Sequence, residues 1–157
     1  MNRIERSQKK YEELFLNPQT LDLKDPEFMT QLQRLIFGEV FYVGDLTDRQ
    51  RELITCSVLT VLQTLPQLKA HLNAALNVGV LPLELKESLY QCAPFIGYPR
   101  TLNAVNVLNE VLEDRHISLP LDNQTSIKDE ERYEKGLEIQ KELYGDEIKE
   151  RYRYLPD

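Results

Sequence analysis

The feature that most constrains this chain is a helical spacing of apolar residues from Leu46 to Tyr98, with no strand-like alternation. The stretch opens LTDRQRELIT, passes through LPQLKAHLNAALNVGV and closes with CAPFIGYP. At its centre Leu68, His71, Leu72, Ala75 and Leu76 fall at i, i+3, i+4, i+7 and i+8, one face of a 3.6-residue period. His71, the one histidine in the body of the chain, is therefore expected on a buried face. An ionisable ring there is either a satisfied core residue or part of a site. No strand pattern appears elsewhere, and the expected fold class is all-α.

The rest of the chain reads as further helices punctuated by Pro and Gly. Arg3 to Phe15 is helical but mostly polar, and Asn17-Pro18 breaks it. Asp25-Pro26 supplies an N-cap and first helical residue for a second helix to about Tyr42. Its stripe is Phe28, Leu32, Leu35, Ile36 and Val40. Glu39 falls on that stripe, where a carboxylate is costly to bury unless paired or protonated. The alternative is a stripe edge from which Glu39 reaches water.

Thr47 is the expected N-cap of a third helix ending near Leu65. Leu53, Ile54, Ser57, Val58, Val61, Leu62 and Leu65 give it a broad apolar face. Arg49 and Arg51 lie near its start, where a cation opposes the helix dipole unless partnered. For Arg49 a surface position or ion pair suffices.

Pro66 starts the His71 helix, and Gly79 is its expected left-handed cap. A fifth helix is predicted from about Pro82 to Phe95, and Gly97-Tyr98-Pro99 breaks it off. A sixth, from about Arg100 to Asp114, is apolar nearly all round and suits burial by a neighbouring subunit.

Arg115 to Thr125 reads as a polar linker in which His116 is solvated. The helical pattern returns from Ile127 to about Leu143, and a short helix over DEIKERYRY is expected after Gly145. The expected organisation is a helical core over residues 1–115, a linker over 116–128 and a helical tail over 129–157. The tail's thin stripe of Tyr133, Leu137, Gln140 and Tyr144 needs cover. It is predicted to lie on the Asp25–Tyr42 helix of its own copy or a neighbour's.

Composition narrows the function. A chain of 157 residues suits one domain with a real core. The net charge of −7 argues against nucleic acid and, mildly, against anionic membranes. No run approaches the roughly 20 apolar residues of a membrane span. The charged Met1–Lys10 does not read as a secretory leader. Cys56 and Cys92 are far apart inside helical patterns and read as reduced, buried thiols of a cytoplasmic protein. With two His and two Cys, and no HExxH or CxxC, no metal site is expected. Nucleotide fingerprints and GxSxG are absent as well.

LTDRQRELIT, LPQLKAHLNAALNVGV and LKESLYQCAPFIGYPRTLNAVNVLNEVL together resemble the carboxymuconolactone decarboxylase family. FGEVF, just upstream, resembles that family's glycine–glutamate–aromatic segment. The likeness covers about Asp25 to Leu112. It implies an alkylhydroperoxidase D-like helical fold built on a helical hairpin and assembled as a ring, a homotrimer or homohexamer. It implies no metal and no organic cofactor. The redox branch of the superfamily carries CxxC beside a histidine. Here Leu59 stands three residues after Cys56, so that motif does not form. The segment EERYEKGLEIQKELYGDEIKER resembles one usually found ahead of the core, yet here it follows it. The order is permuted, or the tail imitates the start of a second copy.

Decarboxylation of a small lactone acid needs an electron sink and a proton for carbon, and neither demands a cofactor. Resemblance and placement on apolar faces together nominate His71 as proton donor, with Glu39 holding its tautomer or sharing the proton. Arg51 is nominated to orient a substrate carboxylate through its planar fork, and Tyr98 to line the pocket. Glu39 and His71 are expected to approach within hydrogen-bonding reach. The alternatives are a thiol peroxidase using Cys56 or Cys92, and a non-catalytic helical oligomer with a structural buried pair.

Overall fold

The computed structural model describes residues 1–20, 22–148 and 150. Among these, every regular element is helical. Met1–Leu121 forms one compact unit and Asp122–Asp157 a second.

In the first unit, α1 (Arg3–Phe15) is fixed at its start by a capping box. Asn2 accepts from the amides of Ile4 and Glu5, while Glu5 accepts from the Asn2 amide. The next helix, α2 (Pro26–Gly38), packs against α1. Their approach is closest at Gly38, where a Cβ would lie 2.5 Å from the Arg3 carbonyl oxygen. Ser7 donates to the Gln33 carbonyl at 3.0 Å across the same contact.

The second helix ends earlier than expected. After Gly38 the backbone leaves the α conformation at Glu39, and Val40–Tyr42 forms a 3-10 turn. That departure moves Glu39 and Val40 off the stripe an unbroken helix would have given them. Phe28, Leu35 and Val40 are exposed, and the buried face of α2 is Phe37 with Gly38.

The centre of the unit is an antiparallel hairpin, α3 (Asp48–Leu62) and α4 (Leu65–Asn77). Thr47 and Gln50 cap α3 with a second capping box, and Gln63 turns the corner in the left-handed conformation. The Gln63 side chain also donates to the Arg100 carbonyl, tying the turn to α7 (Tyr98–Asp114).

The inward face of α3 is not the one expected. Glu52, Cys56 and Thr60, at i, i+4 and i+8, are fully buried. Ile54, Val58, Val61 and Leu62 face outward and stay exposed, while Leu53 and Leu59 pack at the margin of the core.

That core is filled by Leu68, Leu72 and Ala75 of α4, Leu85 and Leu89 of α5 (Pro82–Tyr90), and Ala104, Leu108, Val111 and Leu112 of α7. Gly79 takes the expected positive φ, +85°, beyond α4. The fifth helix is interrupted: α5 stops at Tyr90, and α6 (Ala93–Ile96) is a separate turn. Pro94 lacks the amide that would bond the Tyr90 carbonyl, and its ring would clash with that oxygen.

Arg115, just past the end of α7, is bound to α4. It donates to the Asn73 side chain at 2.8 Å, the Asn73 carbonyl at 3.1 Å and the Asn77 side chain at 2.6 Å. His116 is exposed, as expected.

In the second unit, α8 (Arg132–Tyr144) follows a 3-10 turn at Asp129–Glu131. Tyr133, Ile139, Leu143 and Tyr144 are exposed. Most of the short closing helix expected over DEIKERYRY lies outside the described residues. No helix among the described residues is long and apolar enough to cross a membrane.

Candidate active site

The α3–α4 hairpin brings one titratable pair together in the body of the protein. His71 Nδ1 lies 2.8 Å from Glu52 Oε2. The Glu52 side chain is fully buried, whereas the imidazole keeps 20% of its surface exposed. A neutral ring bonded this way carries its proton on Nδ1 and turns the Nε2 lone pair outward. Nε2 has no hydrogen-bond partner among the described residues.

Glu52 Oε1 is also buried and finds no partner there. Burying a polar atom without a partner costs about 1–3 kcal/mol, so folded proteins seldom leave one. One turn further along α3 lies Cys56, buried with Glu52 nearby. Loss of solvent, reinforced by the Glu52 charge, pushes its thiol far above the ordinary range. Burial also raises the Cys92 thiol, whose Sγ contacts the Ser88 carbonyl at 3.5 Å. Neither thiol is poised as a thiolate nucleophile.

His71 is also touched from α1. The Phe15 ring meets it in a T-shaped contact, centroids 5.6 Å apart and planes at 77°. An aromatic row continues from Phe15 to Phe37 and from Phe37 to Phe41, each step 5.7 Å. It ends under Arg51, whose guanidinium carbon lies 5.7 Å from the Phe41 centroid.

The expected partner of His71 is corrected. Glu39 caps α2, is exposed and forms an ion pair with Arg3 Nε. The carboxylate on His71 comes instead from Glu52. The expectation treated Glu39 as helical; the break after Gly38 removes it from the buried side. Glu52 was hidden in the charged run DRQRE, which reads as a solvated first turn. The readable signal was the spacing of Glu52, Cys56 and Thr60 along one line of α3.

Arg51 donates from Nε to the Leu46 carbonyl at 3.1 Å and from Nη2 to the Val43 carbonyl, so part of its fork braces the turn before α3. Tyr98, the first residue of α7, is 78% exposed. With Tyr90, Pro94, Leu102 and Val105 it lines an open apolar groove of about 720 Å³, and His71 is not among the lining residues. Arg49 makes the surface ion pair expected of it, reaching Glu84 at 2.7 Å. Among the described residues no group of three His, Cys, Asp or Glu is arranged to hold a metal ion.

The model of the carboxymuconolactone decarboxylase family matches residues 26–110, just over half of the chain. The 4-carboxymuconolactone decarboxylase of Acinetobacter baylyi is 34% identical over 92 residues, covering 59% of this chain and 69% of that protein. The nitrosuccinic acid decarboxylase of Metarhizium robertsii is 28% identical over 78 residues, covering 50% of this chain and 54% of that protein. The hairpin bearing Glu52 and His71 lies within the family-matched residues, and the chain belongs to the carboxymuconolactone decarboxylase family.

Proposed function

We propose that this chain decarboxylates a small carboxylic or lactone acid by acid–base chemistry at His71, with Glu52 holding the ring. The observation that carries the reading is the 2.8 Å contact between His71 Nδ1 and a fully buried carboxylate, with Nε2 unpartnered. The two relatives support the reaction class, since both are decarboxylases by name.

In this reading the substrate loses its carboxylate as carbon dioxide, and the electrons of the broken carbon–carbon bond move onto the neighbouring carbonyl oxygen. The protonated His71 ring then delivers its Nε2 proton to carbon. Glu52 keeps the Nδ1 proton in place and offsets the charge of the imidazolium. The ring recovers a proton from solvent through its exposed edge. The family resemblance supports a reaction without a cofactor. The guanidinium of Arg51, stacked on Phe41, is the proposed anchor for a substrate carboxylate.

The test is carbon dioxide release from 4-carboxymuconolactone and from nitrosuccinic acid, with a chelator present. We expect His71→Ala to lose at least about a hundredfold in kcat. Glu52→Gln should lose about ten- to a hundredfold, because an amide orients the ring but cannot balance its charge. No release from any small lactone or nitro acid by the folded protein would overturn the reading.

The chain is further proposed to assemble as a homotrimer or homohexamer. The outward apolar face of α3, Ile54, Val58, Val61 and Leu62, supports this, because monomers seldom leave such a face open to water.

A further inference from the structure

We infer that Phe15 is a positioning residue for His71, which makes α1 part of the site although it lies outside the family-matched residues 26–110. The inference rests on the decarboxylase reading only for its kinetic arm.

The bond to Glu52 holds a single ring atom of His71. The imidazole could still rotate about its Cβ–Cγ bond, stretching the bond to Glu52 and swinging Nε2 away from a substrate carbon. The T-shaped contact with Phe15, planes at 77°, removes that freedom.

Phe15 is itself held from two sides. Tyr11 packs at 4.7 Å, and Phe37 meets it in a second T-shaped contact at 5.7 Å. The backbone beside it is anchored by the helix that carries His71. Asn77, at the end of α4, donates to the Leu14 carbonyl at 2.7 Å. Its other amide atom accepts from Arg115 at 2.6 Å. One end of α4 thus grips the end of α1, and that grip sets an aromatic ring against the imidazole two turns back.

The experiment compares Phe15→Leu, which keeps apolar bulk without a ring, with Phe15→Tyr, which keeps the ring. The sequence has two histidines, so the imidazole nitrogens give two resolvable sets of nitrogen-15 signals, with exposed His116 as internal reference. Those shifts report how the ring proton is shared between Nδ1 and Nε2, and a nearby ring's magnetic field moves them little.

Phe15→Leu should change the His71 nitrogen shifts, leave those of His116, and lower kcat about ten- to a hundredfold with KM unchanged. Phe15→Tyr should restore both. Unmoved His71 nitrogens and an intact kcat in Phe15→Leu would overturn the inference, as would Phe15→Tyr behaving like Phe15→Leu. If the wild-type chain releases no carbon dioxide, the decarboxylase reading fails by itself. The nitrogen shifts then decide the positioning role: moved by Leu and restored by Tyr supports it, unmoved refutes it.

Discussion

Two glutamates thirteen residues apart differ completely in what they do. Glu39 sits at a helix end beside Arg3, half exposed on a screened surface. Its replacement by Gln should leave carbon dioxide release unchanged and cost under about 1 kcal/mol in denaturant unfolding. Glu52 is sealed between helices with one oxygen on His71, so the same change there should lower kcat about ten- to a hundredfold. Just before Glu39, Gly38 allows α1 and α2 to touch. Gly38→Ala would push a methyl group against the Arg3 carbonyl, a backbone atom that cannot swing away. We expect a loss of about 1–3 kcal/mol in urea unfolding.

Cys56 supplies a pH signature. Its folded thiol stays protonated in the range, about 8–9, where an unfolded one ionises. The unfolded chain then holds fewer protons than the folded one, so stability falls as pH rises through that range. Cys56→Ala should flatten this fall when stability is measured across mildly alkaline pH, and an unchanged slope would count against it.

Among elements, α1 carries the most unexpected role. Its sequence is mostly polar, yet Leu14 is fully buried and Lys10 spans to Asp48 at 2.6 Å at the start of α3. The grip of Arg115 on Asn73 and Asn77 fixes the far end of the same assembly. Arg115→Ala removes three charge-assisted hydrogen bonds and leaves two amides underbonded. A loss of about 1.5–3 kcal/mol is expected, seen as a Tm lower by several degrees. A Tm within error of wild type would show that the grip is redundant.

For the whole molecule, α3 is the informative surface. It turns Glu52, Cys56 and Thr60 inward and offers Ile54, Val58, Val61 and Leu62 to water. If copies of the chain cover that face, Val58→Glu should convert a trimer or hexamer to monomers in sedimentation at micromolar concentration. Wild-type protein that sediments as a monomer would rule the assembly out. The proposed cover for the tail is tested by removing residues 129–157, which should lower the melting temperature. An unchanged melting curve and assembly state would refute it.

The sequence by itself determined the all-helical class, the helix that carries His71, and the breaks at Gly79 and Gly97. These follow from local causes: helical spacing of Leu68, Leu72 and Ala75, capping by Thr47, and residues that cannot continue a helix. Tertiary structure decided which face of α3 turns inward, since apolar residues line both its margin and its outer side and periodicity cannot choose between them. It decided that α2 ends at Gly38, where close packing on Arg3 and a change of backbone direction carry Glu39 out to the surface. It also chose the partner of His71. A carboxylate in a charged run looks solvated until a second helix packs over it, and the contact between Glu52 and His71 exists only once the hairpin has closed.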